Sequence, residues 1–150
     1  MRENSQDRPL AKRLRQLKEP QSPIKFDSVG QAMKRIKELR DRENFEKAIA
    51  LGEEWLNHNS PTTGMLNIVA GLYLSIGQPA QAEEKLRLAM KMNPNDGYLI
   101  ARLAIAVAEQ ERVVEALSLI EGMLAHDPKN PVAISLRDRF KKQLGQQKKL

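Results

Sequence analysis

Apolar residues recur along this chain at helical spacing, and polar punctuation cuts them into short segments. Leu66, Val69, Ala70 and Tyr73 form an i, i+3, i+4, i+7 stripe, and Ala82, Leu86 and Ala89 form a second. Gly77 separates the two and Asn93-Pro94 ends the second, so Leu66 to Pro94 reads as two antiparallel helices. The pattern then returns. Moving 34 residues on, Ala70 maps to Ala104, Ala82 to Ala116, Leu86 to Ile120 and Pro94 to Pro128. Moving 34 back, Ala82 maps to Ala48 and Ala89 to Trp55, with Ser60-Pro61 near the expected proline. A helix pair at this fixed period predicts a stack in which each pair buries its apolar face on the next.

Read in order, Ser28-x-x-Gln31 has capping-box spacing and opens a first helix with few apolar positions: Ala32, Met33, Ile36 and Leu39. Such a sparse stripe suits an outer helix with one neighbour instead of two. Asn44 is placed to cap the next helix, which runs through Phe45, Ala48, Trp55 and Leu56 to about His58. Ser60 and Pro61 open a third, apolar nearly all round with Ile68, Leu72, Leu74 and Ile76 outside the stripe. Pro79 opens the fourth. Asn95 or Asp96 caps the fifth, which carries Leu99, Ile100, Leu103, Ala104, Ile105 and Val107. Glu111 then stands where the preceding repeat has Gly77, a departure expected to disturb the turn because a β-carbon disfavours positive φ. A sixth helix runs from Val113 to Ala125. Asn130-Pro131 opens a last one, packed through Ile134 and Phe140 and closed at Gly145. Gly52 and Trp55 stand where later repeats have Leu86 and Ala89, or Ile120 and Met123. This exchange of large and small predicts that Trp55 fills the space a larger residue 52 would take.

The small residues at 70, 82 and 89, with Tyr73, Gly77 and Pro94, sit where the tetratricopeptide repeat signature places them, and this stretch resembles that family. The resemblance implies an all-α, right-handed α-solenoid of three helix pairs over about 28–60, 61–94 and 95–128, with a C-terminal capping helix over 130–144. Residues 1–27 would be a basic arm and linker, 28–145 the repeat domain and 146–150 a basic tail. It further implies a non-catalytic protein-interaction scaffold, with the first helix of each pair lining a concave surface. The peptide-binding residues would then be Lys37, Arg40, Asn67, Gly71, Leu74, Tyr98, Arg102, Ile105 and Arg139, with Met33, Ser135 and Lys142 beside them. Gly64 and Gly71 would let a ligand backbone approach closely. Some family members clamp the acidic C-termini of chaperones. With Arg102 matched to the last arginine of that clamp, its other positions fall at Met33, Lys37, Ile68 and Tyr98, which are the wrong residue types.

Charge narrows the partner. The net charge is +6, but 1–42 carry 12 Lys/Arg against 6 Asp/Glu, 43–130 carry 7 against 12, and 131–150 carry 6 against 1. Basic ends favour an acidic protein or peptide partner, here one with apolar anchors. Association of the arm and tail with nucleic acid or an anionic membrane is the alternative, and 4% aromatic residues with no recognition motif count against nucleic acid. With no cysteine there is neither a disulfide framework nor a thiolate metal site. His58 and His126 lie at helix ends without converging ligands, and no cofactor motif, metal set or catalytic constellation is present. No apolar leader or membrane span is visible, so a soluble, cytoplasmic protein is expected. Leu10, Leu14 and Leu17 make a short stripe in the arm, ahead of Pro20 and Pro23. That helix is too short to hold alone, and docking on a second copy would make a homo-oligomer.

Overall fold

The computed structural model describes Phe26 and residues 28–148, which form seven α-helices joined by short turns. They are α1 (Val29–Asp41), α2 (Phe45–His58), α3 (Thr63–Ser75), α4 (Pro79–Met92), α5 (Gly97–Glu109), α6 (Val113–His126) and α7 (Pro131–Lys148). The arm leucines Leu10, Leu14 and Leu17 lie outside the described residues. None of the seven helices is long and apolar enough to cross a membrane.

The caps follow side-chain chemistry, with corrections to the sequence reading. Ser28 Oγ accepts the Gln31 amide at 3.2 Å, Asp96 Oδ1 the Tyr98 amide at 2.9 Å, and Asn130 Oδ1 the Ala133 amide at 3.0 Å. Helix α3 is capped by Thr62 and not by Ser60: Thr62 Oγ1 accepts the Met65 amide at 3.1 Å, and Pro61 precedes the helix. Asn44 occupies the cap position of α2, but its side chain makes no capping bond. Gly145 does not end α7, which continues to Lys148 because glycine permits a helix without requiring a turn.

The turn inside every pair is the same. Glu43, Gly77 and Glu111, 34 residues apart, all have positive φ, at 58°, 73° and 67°. The next amide reaches back to the carbonyl five residues earlier: Asn44 to Leu39, Gln78 to Tyr73 and Arg112 to Val107. This Schellman closure survives at Glu111, so the expected disturbance does not occur. The hydrogen bonds offset a left-handed conformation that costs a non-glycine residue about 1 kcal/mol.

Curvature follows from which helices touch. The odd-numbered helices approach one another in succession, α1 to α3 to α5 to α7, whereas no close backbone approach joins α2 to α4 or α4 to α6. The odd helices therefore form the narrow, concave layer and the even ones the wider, convex layer. Small residues permit the close contacts between them: Ala48, Ala70, Ala82, Ala104 and Ala116 are all fully buried. Larger buried side chains, among them Ile36, Leu66, Leu86, Leu103, Ile120 and Phe140, fill the core between the layers.

Gly52 has a different partner from the one its repeat position suggests. A β-carbon there would collide with Val69 Cγ2 and sit 3.6 Å from Ile36 Cδ1, while Trp55 stays only half-buried. Val69 of α3, and not Trp55, fills the vacated space. The exchange of sizes crosses two helices instead of staying within one.

Candidate functional site: the concave groove

The 34-residue register that aligns the repeats also aligns the groove. Lys37, Gly71, Ile105 and Arg139 are equivalent positions on the four inner helices, as are Gly64, Tyr98 and Val132 on the last three. Met33 of α1 lies across α3, its Cε 3.3 Å from where a Gly64 β-carbon would stand.

Four of the nine expected residues form one contact cluster. Arg102 Nη1 donates to the Asn67 carbonyl at 2.9 Å and to Asn67 Oδ1 at 3.1 Å. The guanidinium also lies 5.5 Å from the Tyr98 ring centroid, within cation–π range. A β-carbon at Gly71 would come within 2.6 Å of Arg102 Nη1. The space above Gly71 is thus taken by the protein's own arginine, which replaces the expected close approach of a ligand backbone. Tyr98, Arg102 and Ile105 line a depression of about 400 Å³ between α5 and α7, together with Ala101, Met123 and Val132. Tyr98 is 68% exposed and Val132 53% exposed, so the depression has an apolar, solvent-facing rim.

The other positions stand apart. Arg40 turns to its neighbour Asp41, with Nε and Nη2 at 3.2 and 3.1 Å from Oδ1. Leu74 and Ile105 pack in part against the core. Lys37 is exposed on α1, and Arg139 is exposed on α7 with its guanidinium 6.0 Å from the Phe140 ring centroid. Sequence reasoning missed Val132, although it lies one repeat period after Tyr98 and that register would have found it.

The two layers carry opposite charge. The inner helices α1, α3, α5 and α7 hold ten Lys/Arg against four Asp/Glu, a balance of +6. The outer helices α2, α4 and α6 hold four against seven, a balance of −3. Outer charges join neighbouring repeats. Lys85 Nζ lies 3.0 Å from Glu53, which also accepts from Tyr73 Oη at 3.1 Å. Burial, then the charge and hydrogen bond of Glu53, push the Tyr73 hydroxyl up to about 12. Glu83 accepts from Arg112 at 2.6 Å and from Gln110 and Arg87 at 2.8 Å, and Arg87 continues to Glu115 at 2.8 Å. Burial alone would raise the Glu83 carboxyl, but these bonds outweigh it and hold the group at about 2. The inner pairs, by contrast, join neighbours within one helix: Arg35–Glu38, Arg40–Asp41 and Arg137–Asp138. Lys37, Arg102, Arg139 and Lys142 have no ion pair among the described residues.

A family model for the tetratricopeptide repeat matches residues 70–139. No curated protein matches the sequence. Among solved structures, the Sgt2 TPR domain from Aspergillus fumigatus is 18% identical, covers 88% of this chain and 89% of its own, and superposes with a TM-score of 0.71. The first TPR of Spaghetti (RPAP3), bound to the HSP90 peptide SRMEEVD, is 16% identical with coverage of 83% and 99% and a TM-score of 0.71. The second TPR domain of human RPAP3, in complex with the HSP70 peptide SGPTIEEVD, is 20% identical with coverage of 73% and 92% and a TM-score of 0.67. These likenesses share the stacking of helix pairs. With its three helix pairs in this register and residues 70–139 matching the family's own model, the chain resembles the tetratricopeptide repeat family in sequence and shares its fold.

Proposed function

We propose that this chain is a non-catalytic protein-interaction scaffold whose concave groove holds an acidic segment of a partner protein. The observation that carries the reading is the division of charge between the layers. Inner cations without a counter-charge among the described residues, Lys37, Arg139 and Lys142, flank an apolar floor built around Tyr98 and Ile105. Cations that line a concavity focus their field into it and attract acidic chains. The peptides held by the two RPAP3 domains both carry paired glutamates, which supports an acidic polypeptide as the class of ligand.

Affinity capture with the intact protein tests this reading. A Tyr98→Ala/Arg139→Glu variant is expected to lose its specific partners, while a convex Glu84→Lys/Glu121→Lys variant retains them. Loss on the convex variant and retention on the concave one would overturn it.

A further inference from the structure

The depression between α5 and α7 lies within this groove, and its walls are specific in chemistry. Ala101 forms the floor, Ile105, Met123 and Val132 the apolar sides, and Tyr98 the exposed lip. Two of the polar residues at its edge are tied within the chain. Asn130 Oδ1 caps α7 by accepting the Ala133 amide. Arg102 is held in place through one nitrogen: Nη1 bonds both Asn67 oxygens, and the guanidinium lies against the Tyr98 ring. Gly71 makes that placement possible, because any β-carbon would intrude on Nη1. At the position of α3 equivalent to Arg102 the chain has Ile68, which supplies no second cation.

The available charge lies beside the pocket, not within it. Arg139 follows Val132 by seven residues on α7, which puts it on the same helix face about 10 Å away. Lys142 stands one further turn along. An occupant that fits this layout has an apolar side chain at its centre and acids some residues along. A chain terminus would bring its carboxylate among Ala101, Ile105, Met123 and Val132, where desolvation is unfavourable.

We infer that this depression is the anchor pocket of the groove, and that it takes a large aliphatic or aromatic side chain from within a partner chain, flanked by acidic residues, instead of a C-terminal carboxylate. This rests on the scaffold reading above. Arg102 is then a positioning residue: it braces α5 against α3 and orients Tyr98, and it is not the group that reads the ligand's charge.

Two random-peptide phage libraries panned against the full chain supply the test, one displaying free C-termini and one displaying internal segments. Enriched peptides are synthesised as the C-terminal acid and amide, and their affinities are compared. The expectation is enrichment from the internal library of a large apolar residue near Asp or Glu, with acid and amide binding alike. Val132→Glu, at an exposed position that does not threaten folding, should weaken binding about tenfold or more, and Arg139→Glu similarly. Arg102→Met, which keeps the packing and removes the charge, should change it by no more than about threefold. Gly71→Ala, which displaces the guanidinium into the groove, should selectively improve binding of peptide acids over amides. Binding that is lost on amidation, or on Arg102→Met as fully as on Val132→Glu, would overturn the inference while leaving the groove reading intact. Peptides indifferent to Val132→Glu and Arg139→Glu, or no enrichment from either library, would count against both.

Discussion

The convex and concave faces are built from the same repeat, yet they use charge in opposite ways. On the convex side Glu83 gathers Arg112, Gln110 and Arg87 from three places in the fold, and Glu53 joins Lys85 to Tyr73. These bonds span a layer whose helices make no close backbone approach, so long side chains reach between them there. On the concave side the helices already pack closely, and the ion pairs connect only neighbours within a helix. Where packing holds the layers together, charge is released for other work. The lesson is that repeat position fixes the fold, while the partner of each charged residue decides whether it serves stability or recognition.

The largest expected effect lies on the seam between the faces. Gly52→Leu forces a side chain into Val69 and should destabilise by about 3 kcal/mol, lowering Tm by roughly 10 °C. Adding Val69→Ala should restore at least half of the loss, whereas adding Trp55→Ala should restore none. Recovery with Trp55→Ala would return the space to the residue that the repeat alignment suggests.

A smaller effect belongs to the convex network. Glu83→Gln removes the charge that organises three donors, at a cost on the order of 2 kcal/mol near neutral pH, after allowance for screening of Arg87 and Arg112. The folded pKa of about 2 lies below the ordinary 4.5, so this contribution is fully present above about pH 5 and fades as the pH falls toward 2. Urea midpoints of wild type and variant should therefore differ at pH 7, draw together as the pH falls below about 5, and converge near pH 2. Parallel curves over the whole range would show that Glu83 is not the titrating brace.

The smallest effect on stability is expected on the concave side. Lys37→Glu/Arg139→Glu should shift unfolding by less than about 0.5 kcal/mol, because neither cation has an ion pair among the described residues. Its binding of acidic peptides should nevertheless fall about tenfold. A destabilisation matching that of Glu83→Gln would erase the contrast between the faces.

Much of this was legible in the sequence, for a physical reason: a repeat must bury the same positions every time. Ala82, Ala104 and Ala116 are buried where the 34-residue register puts them, whereas the intact Schellman turn at Glu111 was not legible, because backbone hydrogen bonds and not the residue type hold it. What the register could not give was side-chain partnership between repeats. Gly52 meets Val69 because α3 inclines toward α2, and Gly71 admits Arg102 because α5 leans on α3. Both glycines are explained by contacts 17 and 31 residues away, which a one-helix reading of spacing does not contain. The cap of α3 was misplaced for a simpler reason: Ser60 and Thr62 both have capping side chains, and only the backbone angle after Pro61 chooses between them.

The most direct test of the central claim is an amide and methyl shift map of the labelled full chain, titrated with an acidic peptide selected on it. The largest shifts are expected at Asn67, Tyr98, Ile105, Val132 and Arg139 on the inner helices, with Glu84, Val114 and Glu121 of the outer helices unmoved. Shifts concentrated on α4 and α6, with the inner helices silent, would contradict it.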